Sequence, residues 1–125
     1  NPLAMAAGIA ALRILEEENP YPRLAELGEK LADGIREAAS SAGIPLQVPQ
    51  VGSMLCLFFS ENPVMNFEQA VETNTVQFKT LFSHALEEGI YLPPSAFETC
   101  FLSAAHGDAE IDRTIEVIGA GIRKL

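Results

Sequence analysis

The feature that most constrains the fold is a change in the spacing of apolar residues along the chain. Residues 2–17 and 23–41 carry apolar side chains every three or four positions, which is the period of a helix with a buried face. The period is then lost, and the unbroken apolar run from Met54 to Phe59 is typical of a strand buried on both sides. Helical spacing returns at residues 75–88 and once more near the end of the chain.

Shorter signals complete the predicted order of elements. Residues 46–48 and 51–59 predict two strands, and residues 90–92 and 100–104 predict two more. Asn66 followed by Gln69 predicts the capping box of a short helix, and Asp108 is predicted to cap the last helix. The buried face of that helix is predicted to carry Ile111, Ile115, Ile118 and Ile122. The order predicts an α+β fold: a small antiparallel or mixed sheet with helices packed mainly on one face.

The balance of charge excludes several kinds of partner. Seventeen acidic residues against eight basic ones give the 125-residue chain a net charge of −9 and a pI near 4.5. Such a surface repels phosphate backbones and anionic lipids, so we expect neither nucleic acid nor membrane as a partner. Cys56 and Cys100 are too few for a disulfide framework, and they favour a reduced, cytosol-like compartment.

The beginning of the chain suggests that it comes from a longer protein. Asn1 is a good helix N-cap and Pro2 suits the first helical position, so the chain enters a helix without a tail. That helix has few polar residues before Arg13, and a helix of this kind needs neighbours on more than one side. We therefore expect a fragment, although processing of the N-terminus would also explain the first residue.

The residues that could carry chemistry are few. No spacing of Cys and His predicts a metal site, and no glycine-rich loop follows a strand. His84 is interpreted as a boundary residue, and His106 as the source of a hydrogen bond in a turn. The two cysteines are interpreted as small hydrophobic residues.

The segment from Pro93 to Glu98 is the most informative loop, because it is stiff and lies between two predicted strands. Glu98 is surrounded in sequence by apolar residues, so its carboxylate either faces water or has a specific partner. The three lysines are predicted to lie on solvated helix faces, and none has the apolar setting that Schiff-base chemistry requires. They are Lys30, Lys79 and Lys124.

Several motifs together resemble one enzyme family. They are NPLAMAAG at 1–8, VGSM at 51–54, EGIYL at 88–92, PSAFE at 94–98, FLS at 101–103, AH at 105–106 and IDRTI at 111–115. The first motif resembles the segment that opens the C-terminal region of class III, fold-type I pyridoxal-phosphate enzymes. The set as a whole, which spans the chain in order, resembles the glutamate-1-semialdehyde 2,1-aminomutase family.

The resemblance implies a reaction, a cofactor and an assembly. The family converts glutamate-1-semialdehyde to 5-aminolevulinate, the tetrapyrrole precursor, with pyridoxal 5'-phosphate as cofactor. It implies a homodimer of the bacterial cytoplasm or the plastid stroma that acts on a small-molecule substrate. Residues 1–18 would be a helix leading from the missing cofactor-binding domain, and residues 19–125 would form the small C-terminal α+β domain.

The resemblance also implies which functional residues the chain contains. The Schiff-base lysine of the family lies upstream of Asn1, so we expect no catalytic residue, no bound cofactor and no activity in this chain alone. Its cofactor-binding residues stay unknown, and no metal is expected. Glu98 matches a family glutamate at the mouth of the active site and would help to position substrate or an arginine. Ser95 and Ser53 are further substrate-binding candidates.

Two alternatives stay open on the sequence. A related class III aminotransferase or an amino-acid racemase would share the motifs but differ in its need for an external amino donor or acceptor. A stand-alone α+β ligand-binding or dimerisation module would need no lysine, but it would leave the apolar first helix and the ordered motifs unexplained.

Overall fold

The computed structural model describes all 125 residues as five helices and a three-stranded sheet. The helices are α1 (Pro2–Glu18), α2 (Tyr21–Ala42), α3 (Phe67–Val71), α4 (Thr75–Glu87) and α5 (Asp108–Ile122). The strands are β1 (Gln50–Val51), β2 (Met54–Leu55) and β3 (Cys100–Phe101), and they pair antiparallel in the order β1-β2-β3. The α+β prediction is therefore confirmed. No helix combines the length and the apolar character that crossing a membrane requires.

The first two helices follow the sequence closely. The side chain of Asn1 accepts a hydrogen bond from the backbone N–H of Leu3 at 2.9 Å, as its role of N-cap predicts. α1 ends at Asn19, whose φ of 41° is left-handed. α2 begins at Tyr21, two residues earlier than predicted, because a proline in the first turn loses no helical hydrogen bond. It stops at Gly43, where φ is 67°.

The strand predictions are only partly right. The predicted strand 51–59 is divided by a tight turn at Gly52, where φ is 58°, so its first part pairs back on β2 as a hairpin. Residues 46–48 contribute only a single bridge, between Gln47 and Phe58. Residues 90–92 are not a strand, and residues 100–104 contain only the two residues of β3. A strand requires a partner as well as an extended backbone, and sequence pattern alone does not reveal the partner.

The core lies where α2, α4, α5 and the sheet meet. α2 contacts the hairpin on one side and α5 on the other, and α5 also contacts α4. α1 contacts no other element and buries none of its residues. The largest fully buried side chains are Leu27, Ile35, Leu81, Ile111, Val117, Ile118 and Ile122.

The start of α5 differs from the prediction. Gly107, not Asp108, is the N-cap, and its backbone N–H donates to the carboxylate of Glu110 at 2.9 Å. Asp108 is the first helical residue, and it binds Lys30 at 3.1 Å and also Arg23, both of which belong to α2. The cross-helix pair forms because α5 packs along α2 and brings its acidic first turn to these cations.

The predicted face of α5 is otherwise confirmed. Ile111, Ile118 and Ile122 are each no more than 1% exposed, and Ile115 is half-buried against Gly34. Because a Cβ at Gly34 would approach Ile115 to 2.6 Å, the glycine allows α2 and α5 to approach closely.

Candidate functional site

A cavity of about 1020 Å³ opens between the sheet edge, the first turns of α5 and the segment that follows α4. Its floor is apolar and consists of core side chains of α2, β2 and α5, namely Leu31, Ile35, Leu55, Ile111 and Ile118. One side is residues 89–94 and another is residues 98–102. A concave apolar cavity with a few polar groups at its rim is the usual form of a binding site.

Glu98 is the predicted site residue that the fold brings to this cavity. It lies on an exposed turn just before β3, and its backbone N–H donates to the carbonyl oxygen of Ser95 at 3.2 Å. The turn is tightened further by Ser95 Oγ, which accepts from the N–H of Phe97 at 3.2 Å. The carboxylate makes no hydrogen bond or ion pair within the chain, so it is available to a partner at the cavity rim.

The two predicted serines do not line the cavity. The hydroxyl of Ser95 is used by its own turn, as described above. Ser53 lies in the hairpin turn between β1 and β2, and its carbonyl oxygen accepts from the N–H of Leu102 at 2.9 Å. Ser53 therefore fixes β3 against the hairpin through its backbone, and its role toward a substrate stays a prediction.

Several polar residues at the rim, among them His106, Glu110 and Arg113, were given no binding role by the sequence. Nδ1 of His106 accepts from the N–H of Ser103 at 3.0 Å, which confirms the predicted turn hydrogen bond. Arg113 binds Glu116 at 2.8 Å and Glu88 at 3.1 Å, and these hydrogen bonds raise the pKa of the guanidinium. The spacing of Arg113 and Glu116 is the one signal in the sequence that could have revealed part of this network.

Glu110 lies on the same rim as an acceptor of backbone hydrogen bonds. The hydrogen bond from the N–H of Gly107 lowers the pKa of its carboxyl, and the backbone of Glu110 itself adds to the effect. The carboxylate of Glu110 therefore stays charged, and it remains hydrogen-bonded to the N-terminal end of α5. Because Arg113 is already paired, the cavity presents no free cation to an anionic ligand.

The three lysines are at least partly exposed at the surface, and none has the apolar setting that Schiff-base chemistry requires. Lys30 binds Asp112 at 2.6 Å and Asp108 at 3.1 Å, and these hydrogen bonds raise its pKa. Lys79 is exposed on α4, and Nζ of Lys124 lies 3.2 Å from Nδ1 of His84. None of the three lines the cavity. The residues that line the cavity do not fit pyridoxal phosphate, because they include no lysine for its aldehyde and no unpaired cation for its phosphate.

The remaining histidine, His84, and the thiols of Cys56 and Cys100 are partly buried side chains that pack against their neighbours. His84 is half-buried, as predicted, with its ring against Gly121. Cys100 lines the cavity, and burial, with a smaller effect of Cys56, raises its pKa to about 11. Cys56 Sγ lies 3.4 Å from Thr99 Oγ1. A thiol with a pKa as high as that of Cys100 is a poor nucleophile near neutral pH, in agreement with the prediction that Cys100 is a small hydrophobic residue.

Comparison with proteins of curated function gives one consistent result. The chain is 50% identical over its full 125 residues to a glutamate-1-semialdehyde 2,1-aminomutase of Opitutus terrae. It is 46% identical over 124 residues to one of Brevibacillus brevis and 47% identical over 123 residues to one of Thermus thermophilus. The chain spans 29% of the length of each of these relatives. No protein-family model matches it.

Solved structures give the same fold. The chain superposes with a TM-score of 0.81 on an omega-transaminase of Sphaerobacter thermophilus, with 25% identity over 98% of this chain and 28% of the other. It also superposes with a TM-score of 0.81 on a transaminase with PLP bound, with 26% identity over 99% of this chain and 27% of the other. The small antiparallel sheet with its helices thus matches the C-terminal domain of an aminotransferase fold.

Proposed function

We propose that this chain, which is similar over its whole length to glutamate-1-semialdehyde 2,1-aminomutases, forms the C-terminal part of such an enzyme. The enzyme would convert glutamate-1-semialdehyde to 5-aminolevulinate in tetrapyrrole biosynthesis. The observation that carries the proposal is the identity of 46–50% to three aminomutases, against 25–26% to two transaminase structures. That difference favours the aminomutase over a related aminotransferase.

The exposure of the first helix supports a division into two domains. We propose that residues 1–18 lead from a large cofactor-binding domain and that residues 19–125 form the small domain. Leu3, Met5, Ile9 and Leu12 are between 48% and 78% exposed on α1, and α1 contacts no other helix or strand. Burying four such side chains contributes roughly 1.5–3 kcal/mol each, which supports a packing partner outside these residues.

The cofactor and the catalytic lysine would come from the rest of the polypeptide. Pyridoxal phosphate supplies the electron sink of the reaction when it is bound. This chain would hold the rim of the site, where the free carboxylate of Glu98 positions the substrate or an arginine. Ser95 would stabilise the turn that holds Glu98, and Ser53 would be a second, weaker contact to substrate.

The assembly and location follow the same reasoning. We propose a homodimer in the cytoplasm, or in the plastid stroma if the source is a plant or an alga. The two cysteines are unpaired and the net charge is −9, which support a reducing compartment without nucleic-acid partners.

The proposed reaction is tested on the full-length protein. Purified enzyme should form 5-aminolevulinate from glutamate-1-semialdehyde without an external amino donor or acceptor. A strict requirement for either would identify an aminotransferase instead. The 125-residue chain mixed with pyridoxal phosphate should give no saturable aldimine absorbance, and a stable stoichiometric aldimine would contradict the assignment of the lysine to another part of the protein.

The role of Glu98 is tested by Glu98→Gln in the full-length protein. We expect KM to rise roughly tenfold, the size of one charged hydrogen bond, with the pH profile of kcat unchanged. Glu87→Gln is the matched control, because it removes an exposed charge from α4 and should leave both constants unchanged. A large fall in kcat with unchanged KM would mean that Glu98 moves protons instead.

A further inference from the structure

The ring of His84 has one polar contact and one nitrogen without a partner. His84 lies near the end of α4 and is half-buried. Nζ of Lys124, two residues after the end of α5, lies 3.2 Å from Nδ1 of the ring. Nε2 is buried and has no hydrogen-bond partner in the chain, and no other buried side-chain nitrogen or oxygen is in that state. A buried polar atom without a partner is rare in folded proteins and requires a physical explanation.

The backbone of α5 holds the ring in this position. A Cβ at Gly121 would lie 2.6 Å from Cδ2 of His84 and 2.6 Å from Cδ1 of Leu81, so both side chains pack directly on the glycine. Gly121 is buried, and α5 is the only helix or strand that α4 contacts. Because the ring is packed so closely on backbone, Nε2 stays away from water for as long as the two helices stay together.

The contact with Lys124 decides which ring nitrogen carries the proton. An ammonium group has donors and no acceptor, so Nζ of Lys124 donates and Nδ1 of His84 accepts. A neutral imidazole has a single N–H, which must then lie on Nε2. The folded chain therefore stabilises the neutral ring through a hydrogen bond from a charged donor.

A second proton on the ring has no favourable place. It could bind only at Nδ1, where it would remove the acceptor of Lys124 and bring two positive groups to 3.2 Å from each other. Part of the added charge would lie on Nε2, which is shielded from water. A like charge and burial both disfavour the protonated form of a histidine.

No acidic side chain offsets this cost. On α4 the acidic residues that follow His84 are Glu87 and Glu88, which are exposed, and Glu88 already binds an arginine of α5 at 3.1 Å. The charged residues at the facing end of α5 are Arg123 and Lys124, and both are cations. No carboxylate forms an ion pair with the ring of His84.

We propose that His84 and Lys124 form a pH-sensitive switch between α4 and α5, which is closed while the imidazole is neutral and opens when it is protonated. In the open state residues 119–124 separate from α4, so that both cations reach water. α4 leads directly into residues 89–94, which form one side of the cavity, so acid would also loosen the support of that side. The switch uses contacts within this chain alone and does not depend on the proposed function.

The expected size of the response follows from proton binding to the open state. A histidine in water is half protonated near pH 6.5. Proton binding therefore increases the statistical weight of the open state about 11-fold at pH 5.5 and about 1.1-fold at pH 7.5. With no proton bound in the closed state, the equilibrium constant for opening rises about tenfold between pH 7.5 and pH 5.5. The contact between the helices is thus stable above about pH 6.5 and is weakened as pH falls below it.

Hydrogen exchange followed by mass spectrometry on the full-length protein measures this opening. Protection of residues 119–124, corrected for the intrinsic pH dependence of amide exchange, should fall about tenfold between pH 7.5 and pH 5.5. In His84→Asn the side-chain oxygen can still accept from Lys124 but does not titrate, so protection should change by less than about twofold. His106→Asn is the matched control, because it removes an exposed histidine of a turn and should keep the tenfold response.

Lys124→Met distinguishes the proposed switch from a histidine that is merely buried. Lys124 is exposed, so its removal should leave the fold intact, and without the second cation the response should shrink to about threefold or less. A full response in Lys124→Met, or equal responses in the unmodified protein and His84→Asn, would overturn the proposal. Unchanged protection of residues 119–124 at pH 5.5 would also overturn it, because Lys124 would then move into water while α5 stays in place.

Discussion

The contact between α2 and the hairpin turn gives the sharpest prediction about stability. Gly28 is buried on α2, and a Cβ atom at this position would lie 2.2 Å from the backbone carbonyl oxygen of Gly52. The same Cβ would lie 3.2 Å from Nε2 of Gln50. The substitution Gly28→Ala therefore places one methyl group against backbone that cannot rotate away.

Two opposing effects set the size of the change. Alanine in place of glycine inside a helix contributes about 1 kcal/mol of stability. Overpacking of a tight contact costs typically 1–3 kcal/mol, and a clash with backbone belongs at the upper end of that range. We expect the free energy of unfolding to fall by about 1–2 kcal/mol, because the hairpin must move away from α2.

Urea denaturation followed by circular dichroism measures this change. Gly28→Ala should lower the midpoint without changing the m-value. Gly8→Ala is the matched control, because it makes the same change in α1, where no atom lies within 4 Å of the added Cβ, and should cost nothing. A Gly28→Ala variant as stable as the unmodified chain would refute the close approach of α2 to the turn.

Three further predictions concern the core and the ionisable groups. Ile118→Ala, at a side chain that is 0% exposed, should cost about 2–5 kcal/mol in the same assay, whereas Val76→Ala on the surface should be nearly neutral. Lys30 and Arg23 hold the pKa of Asp108 below its ordinary value of 3.8, so their contribution is present above that pH and is lost as pH falls through the lowered value. The melting temperature of Asp108→Asn should accordingly depend less on pH below 4 than that of the unmodified chain. Cys100, whose pKa is about 11, should react with a disulfide reagent at pH 8 far more slowly in the folded chain than in urea, and an equal rate would contradict its burial.

The helices could be predicted because their signals are local. The cap at Asn1, the αL stop at Gly43 and the capping by Asn66 each depend on atoms a few residues apart. The isoleucine face of α5 was predicted for the same reason, since its period is a property of one helix. The error at the start of α5, where Gly107 and not Asp108 is the N-cap, arose where the side chain of Asp108 binds residues of another helix.

The strands could not be predicted with the same precision, because pairing is decided between distant residues. The run from Met54 to Phe59 gave a correct expectation of burial for Leu55 and for residues 57–59, but Met54 is 39% exposed and Cys56 is only partly buried. The turn at Gly52 also divided the predicted strand. Residues 90–92 have the composition of a strand and the alternation of exposed and buried side chains. They are nevertheless not part of the sheet, because no segment of the chain pairs with them.

The candidate site was likewise predicted only in part from the sequence. The sequence singled out the loop that carries Glu98, and its resemblance to a family supplied a reason to examine that residue. Only the tertiary structure brought Glu98 to an apolar cavity, left Ser95 and Ser53 away from it, and engaged Arg113 with Glu88 and Glu116.

The sequence by itself determined the helices and the α+β class, because both depend on residue type and short-range spacing. Tertiary structure decided the hairpin register, the α2–α5 ion pairs and the open strand edge at the cavity. These features depend on which residues far apart in the sequence come into contact. The free energy of such contacts is set by tertiary packing, which a local sequence pattern does not contain.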